Sequence, residues 1–154
     1  MASVLKVDEI QSTSAGGVTM PNQPRFTVRG NNANYVTTSP VPFPTVVIDN
    51  ASGWNTGTNR YVVQKAGDYL FAVRMGICRV TSNDGYSYPN LKLNGTSVAY
   101  SYIQMSSATS FVNGIITTIL TCAVNDYVEV AFHASGGDYY NGSQESSFSG
   151  HMLG

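Results

Sequence analysis

Charge is what this chain has least of. Asp, Glu, Lys and Arg make up 11% of its 154 residues, against roughly 25% in an ordinary globular chain, and their balance is a single negative charge. Recognition of nucleic acid or of an anionic membrane needs clustered basic residues, so neither is an expected partner. Long apolar runs are missing too. None approaches the roughly 18 residues of a membrane-spanning helix, and membrane insertion is not expected. The opening MASVLKVDEIQ has neither the basic start nor the apolar centre of a secretory signal, which predicts synthesis in a cytoplasm without export by the standard route. Cysteine is limited to Cys78 and Cys122. Their spacing matches no zinc or redox motif, and their apolar surroundings suit small hydrophobes better than a disulfide. Histidine is limited to His133 and His151, and no nucleophile elbow, phosphate-binding glycine loop or paired-cysteine zinc signature occurs. No enzyme is expected, no catalytic residue is assigned, and no cofactor is implied. Disorder is excluded as well, since hydrophobic residues reach 42% and disordered chains combine low hydrophobicity with high net charge.

Neutral polar residues fill the space that charge leaves: Ser, Thr, Asn, 15 Gly and 10 Tyr. That mixture favours strands joined by tight turns. From residue 24 onward the pattern is all-β. RFTVRG alternates Phe26 and Val28 with polar residues, and TVVIDN and RYVVQ are further β-rich runs. In LKLNGTSVAYSYI the pair Asn94-Gly95 is the favoured two-residue turn of a β-hairpin. GIITTILTC, YVEVAFH and SSFSGHML supply the remaining strands, and no run has helical spacing. Short strands separated by turn signals predict an antiparallel two-sheet β-sandwich, jelly roll or barrel. One domain, residues 23–154, suits this length. Two Asp-Tyr steps, at Gly67-Asp68 and Asn125-Asp126, read as turn chemistry placed before two different strands.

Residues 1–22 differ from the rest. Leu5, Val7 and Ile10 form a short apolar stripe ahead of the spacer STSAGG, too short to bury its own face. The segment is either a terminus laid on the main domain or an arm that docks on another subunit. Two internal strands are apolar on both faces. Opposite Tyr69, Phe71, Val73 and Met75 stand Leu70 and Ala72; opposite Ile116, Leu120 and Cys122 stand Ile115 and Ile119. A sandwich strand that meets water should be polar outside, so Leu70, Ala72, Ile115 and Ile119 are candidate contacts between subunits.

Candidate chemistry is sparse. Glu129 and His133 share a strand face but stand about 13 Å apart along an extended chain, too far to share one ion. Asp84, Asp138 and Glu145 lie in Gly-rich loops without the spaced acidic ladder of a calcium site, and no metal is assigned. The loops NDGYSYPN and GGDYYNGSQ set Tyr86, Tyr88, Tyr139 and Tyr140 among Gly, Ser and Asn. That composition suits a recognition surface, although Tyr in β-rich loops also caps the edges of cores. Trp54, the single tryptophan, reads better as a core plug than as a contact.

The order RFTV, RYVVQKAGDYLFAV, LKLNGTSV, TTILTCAVNDYVEVAF and SSFSGHML resembles the globular head of the complement subcomponent q family, within the jelly-roll superfamily that includes tumour necrosis factor. The likeness runs over residues 24 to 154 and includes Phe26, Tyr61, Gly67, Tyr69, Phe71, Asn94, Gly95, Leu120, Asp126, Val128, Phe148 and Gly150. It implies a ten-strand, two-sheet jelly roll that assembles as a homotrimer. Asn125 replaces the usual Gly of the turn before the penultimate strand, and no collagen-like Gly-X-Y stalk is present. The phrase SVLKVDEIQSTSAGGVTMP resembles a segment of tailed-bacteriophage fibre and virion-surface proteins. Together these likenesses imply a non-enzymatic virion protein, made in the host cytoplasm, whose arm attaches a trimeric head to the major capsid or another virion protein. A receptor- or glycan-binding fibre tip is the alternative, with a host surface glycan or protein as partner.

Overall fold

The computed structural model describes residues 23–31, 34–78, 85–105, 111–134, 139–141 and 145–153. Leu5, Val7 and Ile10 of the expected docking arm, and Asp84 and Asp138, lie outside them. In chain order the strands are β1 (Arg25–Arg29), β2 (Asn34–Tyr35), β3 (Thr45–Asp49), β4 (Trp54–Asn55), β5 (Arg60–Val62), β6 (Gly67–Cys78) and β7 (Gly85–Leu93). There follow β8 (Thr96–Tyr100), β9 (Ile103–Met105), β10 (Phe111–Cys122), β11 (Tyr127–His133), β12 (Tyr139–Asn141) and β13 (Ser147–Met152). The described residues thus hold thirteen strands rather than the ten expected. Short pieces of two or three residues, β2, β4, β9 and β12, account for the excess.

All pairing is antiparallel and divides into two sheets. In the seven-stranded sheet β6 is central: β10 runs along one edge, and β13, β1 and β3 follow in order on the other. Beyond the end of β13, β12 and then β2 continue beside the last residues of β6. The six-stranded sheet runs β4-β5-β11-β7-β8, with β9 also pairing β7.

Period-two burial explains why these segments are strands. Along β6 the side chains of Tyr69, Phe71, Val73, Met75 and Ile77 are all buried, so every second residue faces the space between the sheets. Phe26 and Val28 of β1, Phe148 and Met152 of β13, and Val128, Val130 and Phe132 of β11 meet them there. The centre is aromatic. Phe26 stacks on Tyr61 at 4.1 Å between ring centroids and meets Phe148 edge-on at 4.9 Å. Trp54 is the expected core plug: only 9% exposed, it lies against Phe26, Phe43 and Phe148 at 5.9 to 6.2 Å. Cys122 is buried, Cys78 is half-buried, and neither is in a disulfide.

The Asn94-Gly95 turn joins β7 to β8, with φ of 51° and 79°; positive values at both central residues are what a type I′ hairpin requires. The two Asp-Tyr steps differ. Asn125 has φ 71° in a turn that Asp126 closes by accepting from the Ala123 amide at 2.7 Å. Asp68 instead lies on β6 and accepts from Thr121 Oγ1 at 2.6 Å across the β10 pairing. The first step is therefore a cross-strand contact rather than a turn.

Candidate functional site

Each sheet presents an outer face, and the two faces differ in chemistry. On the seven-stranded sheet, registry places Ile119 opposite Leu70, Thr117 opposite Ala72 and Ile115 opposite Arg74. The four residues singled out in the sequence therefore share one surface. Ile115 and Ile119 are 58% and 57% exposed, Leu70 37%, and Ala72 is half-buried. The rows continue across the sheet through His151 and Ser149 of β13 to Arg25 and Thr27 of β1, and on to Ile48 of β3. Where the row narrows to Ala72 and Ser149, a groove of about 210 Å³ opens between Leu70 and Ile48. Ile48 and its neighbours Val46 and Val47 are also exposed, as is Phe111 at the far end of β10. The sequence signal for the three β3 residues is an unbroken β-branched run, and among the described residues the strand has one partner, β1. An apolar edge of that kind needs a cover.

On the six-stranded sheet the outer face carries rings. Tyr88 of β7 is in register with His133 of β11, and their rings lie 4.9 Å apart at 26°. Tyr86, two residues earlier on the same face, is also nearly parallel to Tyr88, at 6.2 Å and 16°. Tyr102 meets Tyr88 at 4.6 Å and 61°, and Tyr100 meets Tyr102 at 4.9 Å and 73°. Tyr86, Tyr100 and Tyr102 are each more than half exposed. The Tyr102 phenol is held above its ordinary pKa, first by desolvation and then by the Tyr88, Tyr100 and Tyr86 hydroxyls.

These positions correct the loop assignment of Tyr86 and Tyr88, which stand on a paired strand. Pro89, which cannot donate to a sheet, stands within this strand. Its carbonyl accepts from the Ser101 amide at 3.3 Å, so its nitrogen faces the same side, the junction between β8 and β9 where no ladder bond is needed. Tyr139 and Tyr140 are on β12, paired with Cys78 and Ile77 in the other sheet, and do not join Tyr86 and Tyr88. Sequence reasoning missed Tyr100 and Tyr102, and paired His133 with Glu129 rather than with the rings. The alternation of Tyr100 and Tyr102 in VAYSYI was the available signal.

Glu129 and His133 do not act together. Glu129 is 4% exposed and accepts from Arg60 Nε at 2.6 Å, and that bond holds the guanidinium above its ordinary pKa. Arg60 also lies 4.3 Å over the Tyr127 ring. Among the described residues no three His, Cys, Asp or Glu side chains gather in a way that holds a metal ion; Glu145 is half-buried. The described residues present two outer faces of different chemistry, one apolar and one aromatic.

No curated protein sequence matches the chain. Among solved structures, the globular domain of zebrafish complement 1qA protein superposes with a TM-score of 0.67 at 18% identity, covering 86% of this chain and 98% of that one. The Eiger TNF of S. frugiperda gives 0.69 at 15% identity, covering 86% and 93%. These likenesses confirm the two-sheet jelly roll expected from the sequence. A family model of the C1q domain matches residues 25–153, which takes in all thirteen strands and both outer faces, and this chain therefore belongs to the C1q domain family.

Proposed function

We propose that the chain is a non-enzymatic, homotrimeric head on the surface of a tailed-phage particle, a capsid decoration or short fibre, attached to the major capsid or another virion protein by residues 1–22. Domains of this family commonly form trimers and are generally non-enzymatic. The observation that carries self-association is the outer face of the seven-stranded sheet, where Leu70, Ile115 and Ile119 stand exposed on neighbouring strands and Ile48 lines the far side of the same groove. At about 25 cal/mol per Å² of apolar surface withdrawn from water, covering such a face with a second copy is strongly favourable. Particle attachment is supported by the likeness of SVLKVDEIQSTSAGGVTMP to virion-surface segments. The arm carries apolar Leu5, Val7 and Ile10 and leads into β1 at Arg25.

Deleting residues 1–22 tests attachment. Particles assembled with the shortened chain are expected to lack it while the purified head keeps the mass of the full assembly. Incorporation equal to that of the full chain contradicts the arm's role.

A further inference from the structure

The ring cluster on the six-stranded sheet has no part in the apolar face just described. Tyr86, Tyr88, Tyr100, Tyr102 and His133 bring five rings together, with neighbouring centroids 4.6 to 6.2 Å apart. The buried residues of β7, Ser87, Pro89 and Leu91, point the other way, so packing of the core does not require tyrosine on this side. Contiguous exposed apolar area of this kind marks a contact surface.

Its charge narrows the occupant. Among the described residues of β7, β9 and β11, the only charged side chains are Lys92 and Glu129. Glu129 is four positions from His133, about 13 Å along an extended strand, and is already engaged by Arg60; Lys92 is two positions from Asn90, the register partner of Tyr100, and its ammonium donates to Ser39 Oγ at 3.3 Å. Among the described residues of these strands, a phosphorylated, sulfated or carboxylated ligand finds no unengaged cation beside the rings. Aliphatic side chains, the usual filling of a protein contact, are concentrated on the opposite sheet instead. Four phenols and an imidazole offer ring faces for C–H groups and a rim of neutral hydrogen-bonding atoms, at little cost in side-chain entropy. A pyranose has the matching form, a C–H face bordered by hydroxyls, and the ring spacing is comparable with one sugar unit.

We propose that this platform binds an uncharged oligosaccharide. Sugar rings lie against Tyr86 and Tyr102, and the phenol hydroxyls and His133 bond to sugar hydroxyls. The proposal stands apart from the trimer and virion readings, because the platform and the apolar face are on opposite sheets and closure of one leaves the other open.

The test titrates the full chain with neutral cello-, malto-, manno- and chito-hexaose, and with a heparin-derived hexasaccharide as the charged comparison, followed by calorimetry. At least one neutral hexasaccharide is expected to bind with a millimolar or tighter Kd. Tyr102→Ala and Tyr86→Ala are each expected to weaken that binding about tenfold while the melting temperature and solution mass stay those of the parent. Absence of neutral binding at millimolar sugar, preference for the heparin fragment, or binding that survives both substitutions overturns the proposal. A change of solution mass in Tyr102→Ala overturns it as well, since the platform is then a contact between protein copies.

Discussion

Gly150 shows how tightly single residues are constrained in this core. It faces inward on β13 between Phe26 and Phe71, to which it is in register. A Cβ at that position meets the Phe26 ring and comes within 2.8 Å of Phe71 Cε1. Overpacking of this kind costs roughly 1–3 kcal/mol, so Gly150→Ala is expected to lower the unfolding free energy by that amount, read as a lower urea midpoint; an unchanged midpoint contradicts the packing described. Cys122 provides a second check. Burial, with Asp126 and Asp68 nearby, raises its thiol pKa to about 11, leaving almost no thiolate at mildly alkaline pH. Cys122 is expected to react with a thiol reagent only on unfolding, read by mass spectrometry of peptides labelled before and after denaturant. Residues whose burial follows from their own apolar character were legible in the sequence: Trp54 as a plug, Cys122 as a small hydrophobe. His133 was not, because its partner Tyr88 is 45 positions away and enters only through strand registry.

Strands and turns were legible where sequence neighbours alone decide them. Asn94-Gly95 fixes its hairpin by backbone conformation, and the alternation in β6 fixes which face is buried. β7 was misread because its tolerance of Pro89 depends on a gap between two other strands. The second link between elements is electrostatic. Asn94 Nδ2 donates to Asp126 Oδ1 at 2.8 Å, and Asn94 Oδ1 accepts from the Tyr127 amide at 2.9 Å, tying the β7–β8 turn to the start of β11. These bonds, Asn94 first and the Ala123 amide second, lower the Asp126 pKa. A carboxylate lowered in the folded state adds stability that is present above its unfolded pKa and is lost as pH falls through the folded value. Asp126→Asn is therefore expected to lower the melting temperature at neutral pH, with the gap to the parent closing in strong acid. A gap that stays constant with pH contradicts the charge contribution.

At the scale of the whole molecule, the proposed trimer gives the low charge and the doubly apolar strands one explanation. A sandwich that covers one outer face with copies of itself needs few charges there. The sequence pointed to that face through Leu70, Ala72, Ile115 and Ile119. It did not show that Ile48 and the groove beside Ser149 extend the same surface, because those residues come from three distant segments. The most direct measurement is sedimentation equilibrium of the full chain at micromolar concentration, beside Ile119→Glu. The account predicts three times the 16.5 kDa chain mass for the parent, and the single-chain mass with an unchanged β-sheet spectrum for the variant. A parent that sediments as a single chain, or a variant that keeps the trimer mass, would contradict it.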